Sequence, residues 1–253
     1  MMGNGRIVLI TGATAGIGEA TARMLAKNGF HLILCGRRKE RLQKLVEELS
    51  PVTKVTYLSF DVCSRKEVRD ALRSLPAEWT AIDVLINNAG GAHGLDPIQT
   101  GNVDDWDAMI DSNVKGLLYV SREIIPGMVE RKSGHVINLG SIAGKEVYPN
   151  GNVYCASKFA VDALTRGMRM DLNAAGIKVT SISPGMVETE FALVRFKGDT
   201  SRAANVYKGL SPLRGDDIAD LILFCLTRPS HVAIADITVF PTAQASATVV
   251  SRQ

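Results

Sequence analysis

Runs such as Ile7-Val8-Leu9-Ile10 and Val84-Leu85-Ile86 constrain this chain most, because they are apolar at every position. A strand apolar on both faces is buried only inside a parallel sheet with helices on each side. Between the runs lie longer stretches of helical period, such as the charged, amphipathic Lys39 to Leu49. That alternation implies an α/β fold, a doubly wound parallel sheet of the Rossmann type with right-handed crossovers. Seven strands are predicted: Arg6–Ile10, His31–Cys35, Lys54–Phe60, Ile82–Asn87, His135–Leu139, Lys178–Ser183 and Ile237–Phe240. Helices are predicted over Gly16–Asn28, Lys39–Leu49, Arg65–Leu75, Trp106–Arg131 and Val153–Ala174. Neither linker nor repeat interrupts the pattern, so residues 1–253 read as a single domain. The least regular stretch, Val187 to Pro212, reads as a lid or substrate loop of about 187–212.

Composition narrows the function. A chain of 253 residues, 46% hydrophobic and 22% charged, can bury a large core without disulfides or metals. Its net charge of +3, from 29 Lys plus Arg against 26 Asp plus Glu, is too small for a dedicated nucleic-acid binder. Cys35, Cys63, Cys155 and Cys225 form no C-x-x-C pair and read as reduced thiols. The four histidines lack metal-ligand spacing, and no metal is expected. No apolar run approaches the ~20 residues of a membrane span. With no secretory leader visible, a cytoplasmic location is expected.

In such a sheet ligands bind beyond the carboxyl ends of the strands. After the first strand comes Thr11-Gly12-Ala13-Thr14-Ala15-Gly16-Ile17-Gly18. Its glycines permit a tight turn and close backbone approach, and the helix that follows offers free N–H groups to a pyrophosphate. The alternative is a glycine turn with no ligand. After the second strand, Arg37 and Arg38 stand where an NAD site usually places an acid, and the first acid is Glu40. Arginine's planar fork suits a 2′-phosphate, so the pattern favours NADP over two merely solvated arginines.

Tyr154 and Lys158 are four apart on one helical face. A nearby ammonium favours phenolate, which would bring tyrosine into acid/base range. A lone Y-x-x-x-K also arises by chance in an amphipathic helix. Its neighbours add weight. Ser141 follows the fifth strand and can donate to a carbonyl oxygen. Asn87 to Gly90 follow the fourth. Asn113 lies mid-helix, where asparagine needs a reason.

Together these residues resemble the short-chain dehydrogenase/reductase family: T-G-x-x-x-G-x-G at 11–18, N-N-A-G at 87–90, Asn113, Ser141, Tyr154, Lys158 and Pro184-Gly185, in order over residues 6–240. The resemblance implies that Tyr154 exchanges the substrate proton and Ser141 polarises the carbonyl. Lys158 would bind the nicotinamide ribose and lower the tyrosine pKa, and Asn113 would hold a relay water. The cofactor set it implies is Gly12, Thr14, Gly16, Ile17, Gly18, Arg37, Arg38, Asp61, Val62, Asn88, Ala89, Gly90, Tyr154, Lys158, Pro184, Gly185, Val187 and Thr189.

Further segments, including Leu75 to Trp79, Pro126 to Arg131, Gly151 to Tyr154 and Val194 to Asp199, are similar to the NADP-dependent serine/3-hydroxy acid dehydrogenases. That subgroup acts on serine, L-allo-threonine and 3-hydroxy acids and is a cytoplasmic homotetramer, with contacts expected through the helices at 103–131 and 152–175. Such substrates carry a carboxylate, and Arg195 in the loop is the cation expected to bind it; a solvated loop arginine is the other reading. Two rivals remain open. A 3-oxoacyl carrier-protein reductase would share the motifs through Gly185. A non-catalytic NADP sensor would be expected to lack part of the Ser141, Tyr154 and Lys158 set.

Overall fold

Val8, Leu9 and Ile10 have no exposed surface. Successive side chains of this strand feed opposite sides of the sheet: Val8 and Ile10 one apolar cluster, Leu9 another. The computed structural model describes residues 2–253, so Met1 of the expected 1–253 unit lies outside the described residues. The strands are β1 (Ile7–Thr11), β2 (His31–Gly36), β3 (Val55–Ser59), β4 (Val84–Asn87), β5 (Gly134–Leu139), β6 (Ile177–Pro184) and β7 (Asp236–Val239). They form one sheet in the order β3-β2-β1-β4-β5-β6-β7, parallel throughout.

Nine α-helices accompany them among the described residues: α1 (Gly16–Lys27), α2 (Lys39–Leu49), α3 (Arg65–Arg73), α4 (Val103–Ile110), α5 (Gly116–Arg131), α6 (Asn152–Leu172), α7 (Phe191–Arg195), α8 (Thr200–Tyr207) and α9 (Gly215–Leu226). Side chains of α1, α2 and α9 pack with Val8 and Ile10 on one face of the sheet. Those of α3, α5 and α6 pack with Leu9 and Leu85 on the other. The sequence reason is visible in α2, where Leu42, Leu45 and Leu49 recur at helical spacing and are buried while the charged positions face water. This is a single Rossmann-type domain.

Three elements differ from expectation. The helix predicted over Trp106–Arg131 is broken by a π turn at Asp111–Lys115, between α4 and α5. Val187 to Pro212 is partly helical, since it contains α7 and α8. Asp199 caps α8 by accepting from the Arg202 N–H at 2.9 Å. Finally, α9 lies outside the predicted elements, although its buried Ile218, Ala219, Ile222, Cys225 and Leu226 follow helical spacing. No helix among the described residues is long and apolar enough to cross a membrane.

Candidate active site

The chain runs outward from β1 through β2 to β3, then returns to place β4 on the other side of β1. The two halves diverge there, leaving a crevice at the carboxyl edge. The structure has a cleft of about 840 Å³ at this edge, reaching from Arg38 to Arg195.

Its floor is the glycine turn. Gly12 has φ +66°, and a Cβ there would lie 2.9 Å from Asn88 Nδ2 and 3.0 Å from Ala89 Cα. Asn88 Nδ2 donates to the carbonyls of Thr11 (2.9 Å) and Gly12 (3.1 Å). Thr11 Oγ1 accepts from the N–H groups of Asn88 and Ala89, both at 3.0 Å. The 87–90 motif thus clamps the turn after β1. At the start of α1, Ala15 provides no side-chain cap, so the first N–H groups of a 12-residue helix stay available to an anion. The cradle fits the pyrophosphate of a dinucleotide.

At one end of the cleft, Arg38 donates through Nε (3.1 Å) and Nη2 (2.9 Å) to Thr14 Oγ1. Arg37 is mostly exposed and lies 3.5 Å from Asp61. At the other end stand Ser141, Tyr154 and Lys158. Ser141 begins the short turn Ile142–Gly144 after β5, and its Oγ accepts from the Ala143 N–H at 3.1 Å. Tyr154 and Lys158 project from α6 and are nearly buried. Lys158 Nζ donates to the Leu139 carbonyl at 2.9 Å.

The electrostatics correct one expectation. The largest influence on the Tyr154 phenol is its burial. Burial pushes the Tyr154 phenol up, reinforced by Tyr148, while the Ser141 hydroxyl and the Arg195 cation oppose the rise. Burial also lowers the Lys158 ammonium from 10.5 to about 8. Helical spacing aligned the two residues, but the lysine head turns toward the end of β5.

The cleft gathers the predicted residues with two exceptions. Gly18 lies beneath it, where a Cβ would come 2.3 Å from the Gly12 carbonyl oxygen. Its role is therefore the close packing of α1 against the turn. Asn113 also lies behind the wall. In the π turn its Nδ2 donates to the Gly91 carbonyl and to Ser157 Oγ, each at 2.9 Å. Its Oδ1 accepts from the Gly91 N–H at 2.8 Å. The carboxamide is thus occupied in joining the loop after β4 to α6.

Other residues were missed by sequence reasoning. Tyr148 lines the cleft and its hydroxyl accepts from Arg195 Nη1 at 3.0 Å. Arg195 also donates through Nε to the Gly94 carbonyl at 2.9 Å. The guanidinium carbon sits 5.6 Å from the ring centres of both Tyr148 and Tyr154. Phe191 of α7 meets Tyr154 edge-on at 5.6 Å. Lys197, by contrast, is paired with Asp105 at 3.0 Å. Below the site, Asn87 Nδ2 donates to Ser121 Oγ (3.0 Å) and Asn138 Oδ1 (2.9 Å), and Asn138 Nδ2 to Thr165 Oγ1 (2.9 Å). This buried chain fixes α5, β4, β5 and α6 to one another.

The sequence pattern described as short chain dehydrogenase matches residues 6–199. The chain belongs to that family. Among relatives of this short-chain dehydrogenase, an NADP-dependent 3-hydroxy acid dehydrogenase of Salmonella typhi is 46% identical over 242 residues, 95% of this chain and 97% of the relative. One from Schizosaccharomyces pombe is 43% identical over 253 residues, 99% and 98% of the two chains. Among solved structures, the closed form of serine dehydrogenase complexed with NADP+ superposes with a TM-score of 0.92 at 45% identity, covering 98% of this chain and 100% of that one.

Proposed function

We propose that the chain is an NADP-dependent oxidoreductase acting at the 3-hydroxyl or 3-oxo carbon of a small hydroxy acid, of the serine, L-allo-threonine or 3-hydroxypropionate type. The observation that carries this reading is Arg195, a cation stacked beside Tyr154 inside the cleft. Its Nε and Nη1 are held by Gly94 and Tyr148. Held in this way, the planar fork is oriented for a substrate carboxylate next to the proton-transfer group. Relatives named as 3-hydroxy acid dehydrogenases support the same substrate class.

When bound, a nicotinamide cofactor would supply the hydride acceptor or donor. Gly12, Thr14, Gly16 and Ile17 with the open end of α1 hold the pyrophosphate, and Arg37 and Arg38 the 2′-phosphate. Asp61 and Val62 flank the adenine. Asn88, Ala89, Gly90 and Lys158 line the ribose side, and Pro184, Gly185, Val187 and Thr189 the nicotinamide side. Tyr154 Oη donates its proton to the carbonyl oxygen in reduction and takes it from the hydroxyl in oxidation. Ser141 Oγ donates to the same oxygen as charge develops there. Burial keeps Tyr154 neutral, the form needed for reduction, while Ser141 and Arg195 favour the phenolate needed for oxidation. Asn113 and the Asn87–Asn138 chain position these groups without touching substrate.

We further infer a cytoplasmic homotetramer. The support is four free cysteines, which suit a reducing compartment, and the exposed apolar side chains Leu118, Val129, Phe159 and Met170 on α5 and α6.

Arg195→Ala tests the substrate class. The KM for L-serine or 3-hydroxypropionate should rise about 10- to 100-fold, as expected for losing one hydrogen-bonded charge, with far less change for a neutral alcohol. Equal loss on both would remove the carboxylate from the argument. Faster wild-type turnover of an acetoacetyl thioester than of any hydroxy acid would favour a carrier-protein reductase instead.

A further inference from the structure

Glu190 is the one acid that reaches into the arginine end of the cleft from the segment after β6. Its Oε2 accepts from Arg38 Nη1 and its Oε1 from Arg41 Nη1, both at 2.7 Å. Arg41 stands one helical turn beyond Arg38, and neither Arg41 nor Glu190 belongs to the cofactor set expected from sequence. The same segment rests on the phosphate turn, since a Cβ on Gly16 would lie 2.9 Å from Thr189 Cγ2. One carboxylate therefore bridges two guanidiniums across the mouth of the dinucleotide cleft.

We propose that Glu190 is a specificity-determining residue, an internal competitor for the guanidiniums that a 2′-phosphate uses, with Arg41 a second phosphate ligand beside Arg38. The inference rests on the reading of Arg38 as the 2′-phosphate site. Charge and exposure carry it. Glu190 is a single negative charge, and Arg38, Arg41 and Glu190 all keep between 40% and 48% of their side-chain surface exposed. Pairs so exposed are weak and readily exchanged. A phosphate monoester brings a charge near −1.5 to −2 and three acceptor oxygens to the same forks. It displaces the carboxylate, frees the segment that begins with Thr189, and gains both arginines. A ligand with a 2′-hydroxyl has no charge with which to do so and leaves the bridge closed. Glu190 thus sets the preference for a 2′-phosphate below what the two cations alone would give.

Calorimetric titration of the purified protein with adenosine 2′,5′-bisphosphate and adenosine 5′-monophosphate tests this without turnover. For Glu190→Gln, the bisphosphate should bind about three- to tenfold more tightly than to wild type, the equivalent of removing two weak ion pairs, with the monophosphate unchanged. Arg41→Ala should weaken the bisphosphate alone. Unchanged or weaker bisphosphate binding in Glu190→Gln would overturn the proposal, as would equal tightening of both ligands, which would report a looser segment and not a competitor. Arg38→Ala keeps the two readings apart. If it leaves the bisphosphate unaffected, the site itself is misplaced and the proposal falls with it. If it weakens the bisphosphate while Glu190→Gln does nothing, only the competitor is refuted.

Discussion

Replacing Lys158 by methionine should make the protein more stable and inactive at once. The ammonium is held at about 8 in the folded chain against an ordinary 10.5, and burial is the cause. At ~1.36 kcal/mol per pH unit, that displacement makes the buried charge cost about 3 kcal/mol wherever it is protonated in both states. Methionine keeps the aliphatic volume, but leaves the Leu139 carbonyl without its donor, which costs about 1 kcal/mol. The net gain near pH 7 is about 1–2 kcal/mol, or roughly 2–8 °C in Tm for a domain of this size. The sign depends on pH. Because the folded pKa lies below the unfolded one, the cost is complete below pH 8, shrinks as the pH rises, and is gone by 10.5. The advantage of Lys158→Met should shrink over the same window. Differential scanning calorimetry at pH 7 and pH 10 reads both values, and NADPH absorbance reads the loss of turnover. Lower stability at pH 7, or a difference that does not move with pH, would refute the burial argument.

Other expectations follow from the same site. Tyr154→Phe should reduce turnover about 10²- to 10⁴-fold, because a positioned proton donor is lost, while calorimetric NADP+ affinity stays near wild type. Arg195→Ala should separate hydroxy acids from neutral alcohols in KM, as set out above. His135, buried against Thr180 at 2.8 Å, is pushed by burial to about 3. Its neutral form therefore contributes stability that is complete above pH 6.5 and lost as the pH falls toward 3. Urea midpoints at pH 7 and 4.5 should show His135→Gln losing about 2–3 kcal/mol less than wild type between them.

Much of the fold was legible because its signals are local. Short β-rich runs, two-sided and apolar at the centre of the sheet, predicted every strand within two residues, and α2 matched its predicted bounds. Most cleft residues were legible because they follow strand ends, which the topology brings to one edge, while Tyr154 and Lys158 were legible from their spacing on one face of α6. What escaped depends on contacts distant in sequence. Nothing near Tyr148 says that its hydroxyl meets Arg195, 47 positions later. Glu190 meets Arg38 across 152 positions. Arg41 was more accessible to reasoning, since it lies three residues after Arg38 on a predicted helix. The upward push of burial on the Tyr154 phenol was not legible because sequence spacing records a neighbouring charge and not the loss of water around the ring. The π turn at Asn113 escaped because the apolar period on each side is helical.

That turn has a consequence for how this chain can change length. A π turn holds one residue more than the regular helix needs, at some expense in hydrogen-bond geometry. Removing one residue between Asp111 and Lys115 would let α4 and α5 join as an uninterrupted helix. The shorter chain would gain regularity there, yet Asn113 would rotate away from Gly91 and Ser157. A deletion at this point would therefore cost the buried bonds that join the loop after β4 to α6, so the residue count between Trp106 and Arg131 is tied to the alignment of the cleft wall.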